Sequence, residues 1–240
     1  MKFVKSFISG IIMILCIDFS DVYAKGDLIS ANNPIEEKDI LVGEITEAKI
    51  KLFAKETDEK LVNFRLELNG SQRFFPFWQN VVNKAYWPKL FYSDITKDDK
   101  KELIIVLTKG YGTGVLEEEI HVFNQVKSND GYIYQEVLVD NPLAIVLRNT
   151  KTKLTNKEAI ITIGEKKSII KLDDLEINPD NLFPDIYSGN IIRFDVSNGE
   201  LISTIGATIS PSGYIGDFKI TYTLKDKLYQ MKNIEFIPVN

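Results

Sequence analysis

The chain has 240 residues, of which 44% are hydrophobic and 26% charged, enough apolar material for one large packed domain or two small ones. A net charge of −5 with both signs well mixed argues against nucleic acid and anionic membranes as partners and is compatible with binding calcium. The single cysteine, Cys16, excludes an internal disulfide, so burial or a metal must hold the fold.

Residues 1–24 have the layout of a secretory signal peptide: Lys2 and Lys5, an apolar stretch from Phe7 to Ile17, and Val22-Tyr23-Ala24 at the cleavage position. The apolar stretch is shorter than the ~18–20 residues of a membrane span. The expectation is an exported protein that begins at Lys25, with no span left after cleavage. Two other readings stay open. Asp18 and Asp21 suit an uncleaved anchor, and Cys16 suits a lipoprotein signal except that Leu15, not a small residue, precedes it. Cleavage also removes the cysteine, which excludes thiol nucleophiles and thiolate zinc sites from the mature chain.

Residues 25–44 mix Gly, Asn, Pro and charge without period and read as a flexible leader. From there the period is close to two. Ala48, Ile50, Leu52 and Ala54 alternate with Glu47, Lys49, Lys51 and Lys55, and Val62, Phe64, Leu66 and Leu68 with Asn63, Arg65 and Glu67. Such alternation places one face on a core and the other in water. Asn69-Gly70 and Asn198-Gly199 are tight hairpin turns, and 164–167 and Lys225-Asp226-Lys227 are further hairpin connections. The helical candidates are short, Asn80–Ala85 and Asn156–Ala159. The expected fold is mainly β, with antiparallel sheets: a four-stranded unit around 86–140 and a C-terminal antiparallel meander from about 190 to 238. Asn141-Pro142 divides a 45–140 β domain from a 141–240 β region, and 172–190 reads as a long surface connection.

One stretch hints at specific chemistry. In DITKDDKKEL, Asp94, Thr96 and Asp98 stand at alternate positions, followed by the carbonyl of Lys100 and by Glu102. Calcium takes six to eight oxygens, which such a loop supplies most readily at alternate positions. A helix–loop–helix site is excluded: Asp99 stands where that motif needs Gly, and Ile105 where it needs Glu. The apolar LIIVL that follows is a buried strand. The competing reading is a plain strand-entry turn.

The stretch resembles the FG-GAP or VCBS-type repeat, a four-stranded unit of secreted β-propellers whose pattern is roughly Asp-x-Asx-Gly-Asp-Gly-x-x-Asp-Leu. Asp94, Asp98 and Leu103 match, and Glu102 stands for the last Asp. Thr96 is a weaker ligand, and Lys97 and Asp99 replace the glycines. The likeness covers about 86–140, in one copy. The whole chain is also similar to small secreted proteins of Bacillus-like bacteria in which one such unit precedes an antiparallel sheet. The resemblance implies calcium bound by Asp94, Thr96, Asp98, Lys100 and Glu102, and implies no activity.

Lys109–Gly114 is rich in glycine, but glutamates follow and no helix N-terminus does, so a hairpin is expected there and not a phosphate cradle. His121, the only histidine, shares a strand face with Glu119 and Phe123 and is expected half-exposed without partner ligands. Phe74, Phe75, Phe77 and Trp78, with Tyr86 and Trp87 after them, are either core or a platform for sugar rings. With no nucleophile context or cofactor motif, the leading expectation is a non-catalytic exported module that binds an extracellular or cell-wall ligand. The alternative is a hydrolase of extracellular polysaccharide that uses carboxylates from 94–119 or 173–185.

Overall fold

The computed structural model describes residues 39–129, 131–175 and 177–239. The signal peptide read over 1–24, and the leader up to residue 38, lie outside the described residues. The leader expectation ran to residue 44, but pairing begins at Asp39. Strand β1 (Asp39–Ile45) forms the first hairpin with β2 (Ile50–Glu56), and β3 (Lys60–Leu68) and β4 (Ser71–Val81) complete a four-stranded sheet in sequence order. The expected turn between β3 and β4 is present, with Asn69 and Gly70 both at positive φ (47° and 84°). Gly43 sits at a break in the β1–β2 register, where a Cβ would lie 2.6 Å from the Leu90 side chain. A side chain there would have to displace Leu90.

Next come β5 (Lys89–Ser93), β6 (Glu102–Gly112), β7 (Val115–Ser128) and β8 (Gly131–Val137), which pair in order and antiparallel. These are the four strands expected around 86–140. Helix α1 (Pro142–Asn149) follows. A small sheet then forms from β9 (Thr150–Leu154), β10 (Glu158–Ile163) and β11 (Lys166–Lys171). The chain ends in a meander of β12 (Tyr187–Ser197), β13 (Glu200–Thr208), β14 (Tyr214–Lys225) and β15 (Leu228–Pro238). The last hairpin turns on Asp226 and Lys227, both at positive φ without a glycine.

The helical expectations were misplaced. Asn80 and Val81 end β4, with only a single 3₁₀ turn at Lys84–Tyr86, and Glu158 and Ala159 begin β10. The α-helix is PLAIVLRN, where the sequence reading saw only a break. Asn141 caps it by accepting the Ala144 N–H, and Pro142 fills the first turn, where its missing N–H costs nothing.

The expected division at Asn141-Pro142 does not separate two cores. Strand β12 pairs with β7 in parallel at Ile191–Leu116 and Ile192–Glu117, joining both stretches in one eight-stranded sheet. All described residues belong to one compact unit. Strand β6 explains why LIIVL is uniformly apolar. Leu103, Ile105 and Leu107 pack on the four-stranded sheet, whereas Ile104 and Val106 pack with the C-terminal meander and α1. A strand covered on both faces has no polar side to present.

Candidate binding face

The 94–102 loop forms a closed network. Asp94 accepts three backbone N–H groups: Lys97 (2.7 Å) and Asp98 (3.3 Å) at Oδ1, and Asp99 (3.0 Å) at Oδ2. Lys97 and Asp99 adopt the left-handed backbone (φ 64° each) that the two glycines of the resembled pattern would favour. Asp98 accepts from the Lys100 amide, the Lys100 ammonium and the Thr96 hydroxyl, each at 3.1 Å. Hydrogen bonding from the Lys100 ammonium holds the Asp98 carboxyl below the usual carboxylate range. Glu102 is buried and accepts the Ile95 N–H (2.9 Å), and the Thr96 hydroxyl, 3.3 Å away, is shared between it and Asp98. Burial pushes its carboxyl above the usual range.

Asp94, Thr96, Asp98 and Glu102 are thus drawn together, but their oxygens serve the loop's own amides, the Thr96 hydroxyl and one lysine. Among the described residues, no three acidic or imidazole side chains are arranged to hold a metal ion.

Several carboxylates of the two stretches considered for hydrolysis, and Asp140 beside them, are also engaged. Glu117, Glu118, Glu119 and Asp140 line a cleft of about 450 Å³. Glu118 is paired with Lys89 (2.9 Å), Glu119 with Lys109 (2.9 Å) and Asp140 with Arg148 (2.7 Å). In the second region, Asp185 accepts from Thr152 (2.9 Å) and from the Ile186 amide (2.7 Å).

Lys89 and Glu118 have a structural task. Two residues beyond its contact with β7, strand β12 has no strand partner on that side. There the Phe194 N–H donates to Glu118 (2.7 Å), and Lys89 donates to the Phe194 carbonyl (3.1 Å).

His121 is buried, not half-exposed as expected. Its ring stacks on Trp78 (3.9 Å between centroids), and Nδ1 lies 2.7 Å from Glu136. Trp78 in turn stacks on Phe75 at 3.8 Å. The aromatic segment therefore divides. Phe75 and Trp78 face the interior, whereas Phe74 is 68% and Phe77 90% exposed. The cause is a bulge: Val62 pairs with Gln79 but Phe64 with Phe75, so Pro76, Phe77 and Trp78 stand opposite Asn63 alone, itself at φ 51°.

Outward of that bulge, one residue from each strand lies in a continuous cross-strand row: Leu41, Phe53, Arg65 and Phe74. The Arg65 guanidinium sits 4.2 Å over the Phe53 ring and is held by Asp39 (3.0 Å) and by Glu67. Between Asp39, Arg65, Phe74 and Pro76 lies a concavity of about 260 Å³. Leu41, Phe53 and Arg65 were not singled out from sequence. One signal was available: Phe53 is an aromatic on the charged side of the alternation in β2. The fold and this face describe a β-sheet protein with an exposed aromatic surface. No family model, curated protein or solved structure matches the chain.

Proposed function

We propose that this chain is an exported, non-catalytic β-rich module that binds polysaccharide at the cell surface or in the medium, through the bulged face of β1–β4. The observation that carries the reading is the exposure of Phe74 (68%) and Phe77 (90%) on a strand where Trp78 is buried and Phe75 packs partly buried against the core. Isolated apolar side chains at a surface need no explanation, but a row shared by four strands marks a binding surface. A sugar ring has an apolar C–H face that covers an aromatic ring, and hydroxyls that need fixed polar partners. Asp39 and Arg65, held in mutual pairing beside Phe74, supply such partners without further ordering. Export is supported by Lys2, Lys5, the short apolar run and Val22-Tyr23-Ala24. The non-catalytic part is supported by the partners of Glu118, Glu119, Asp140 and Asp185.

The test is retention of purified protein on insoluble glycans (wall polysaccharide, cellulose and chitin), with Phe74→Ala and Phe77→Ala compared against the parent. Burying a phenylalanine is worth about 1.5–3 kcal/mol, so each truncation should weaken retention roughly tenfold or more. Stability should change by less than about 0.5 kcal/mol, because neither ring packs in the core. Parent-like retention by the double variant on every glycan would overturn the proposal.

A further inference from the structure

A further concavity lies where β12 meets β7. Strand β12 leaves its ladder with β13 between Ser188 and Ile192, and there it meets the start of β7. Asn190 donates to the Gly114 carbonyl (2.9 Å), tying the tip of the β6–β7 hairpin to this irregular stretch. The hairpin tip and the turn at Pro211–Ser212 stand over the strands and enclose a groove of about 480 Å³. It continues into a space of about 250 Å³ beside Tyr86, and the two parts share Gly114, Ile191 and Arg193.

Arg193 distinguishes this groove. The sequence has four arginines. Arg65 and Arg148 are ion-paired, and Arg73 donates to the Tyr134 carbonyl. The Arg193 guanidinium makes no hydrogen bond or ion pair with any described residue. Asp217, the carboxylate among the residues that line the groove, interacts with Tyr214. A planar fork of donors left open over a concave surface is suited to a carboxylate, which it grips through two parallel hydrogen bonds. Around it stand the hydroxyls of Thr208 and Ser212 and the ring of Tyr214. These are partners for a hydroxylated ring.

We infer that the Arg193 groove binds the carboxylate of a sugar acid, with the sugar ring against Tyr214 and its hydroxyls on Thr208 and Ser212. This site is separate from the Phe74–Phe77 face, although a polysaccharide ligand for the module makes an acidic sugar the natural occupant. The experiment is a calorimetric and amide-shift titration of the intact protein with a glucuronate-containing trisaccharide. Maltotriose serves as the neutral ring of equal length, and an N-acetylated dipeptide as a carboxylate without a sugar. Saturable binding of the acidic trisaccharide, at least tenfold tighter than either control, is expected, with shifts at Thr113 and Gly114. Arg193→Met should weaken it tenfold or more at unchanged melting temperature, and Arg193→Lys should recover only part, because an ammonium lacks the fork. Phe74→Ala/Phe77→Ala should leave it intact, so loss of the glycan-face proposal and loss of this one are distinguishable. Equal binding of maltotriose, or parent-like binding by Arg193→Met, would overturn the carboxylate site. Equal binding of the dipeptide would overturn its assignment to a sugar.

Discussion

Replacing Glu118 by alanine tests how the seam of the large sheet is held. The carboxylate is almost fully covered (6% exposed) and accepts the Phe194 N–H at 2.7 Å, while Lys89 bonds both that carboxylate and the Phe194 carbonyl. In Glu118→Ala the amide keeps no protein partner, and an orphaned buried donor costs about 1–3 kcal/mol. Lys89 also loses its acid. That side chain is 44% exposed and can turn to water, so the ion pair itself adds no more than about 1 kcal/mol. The total is about 1–4 kcal/mol, or roughly 2–16 °C in melting temperature for a domain of this size. Glu118→Gln keeps an acceptor and should cost about 1 kcal/mol or less. Urea unfolding and thermal melts of both variants, with Lys89→Ala and the double mutant to close the cycle, give these quantities. If alanine costs no more than glutamine, water from the adjoining cleft satisfies Phe194, and the reasoning fails.

Three further outcomes are expected. Folded Glu102 has a carboxyl pushed up by burial, so its contribution is fully present below the ordinary value of 4.5 and is lost as pH rises through the folded value. The stability of the parent relative to Glu102→Gln should therefore fall across that window in a pH series of urea titrations, and a flat or rising difference would contradict the burial argument. Because Asp94, Asp98 and Glu102 are taken up by the loop, melting temperature should be the same in EDTA and in several millimolar calcium. A calcium-dependent rise that Asp98→Ala abolishes would establish the ion-binding reading instead. Trp78→Ala, which empties a site between Phe75 and His121, should destabilise by about 3–5 kcal/mol. A loss below 1 kcal/mol would mean that the stack contributes little to the core.

Much of the architecture was written in local patterns. Alternation in β2 and β3, the glycine turns at Asn69-Gly70 and Asn198-Gly199, and the apolar run of β6 each depend only on near neighbours in sequence. A period of two and a left-handed turn are decided over a few residues, so a mainly antiparallel fold could be read directly. Even Lys97 and Asp99, standing where glycines are the easier choice, took the left-handed backbone that the spacing of their loop requires.

Other features depended on which distant strand arrives alongside. Helix α1 is a short apolar segment whose burial of Ile145 and Val146 comes from the C-terminal meander, so its own eight residues could not distinguish it from a loop. His121 is covered because Trp78 lies over it across the two sheets, although nothing in its own strand predicts that partner. Phe74 and Phe77 face water while Phe75 and Trp78 do not, because a bulge opposite Asn63 shifts the alternation of β4. Asp94, Asp98 and Glu102 were legible as a cluster of oxygens. Only the folded loop decided that backbone amides would occupy them, because the direction of each N–H is set by the closed chain and not by residue type.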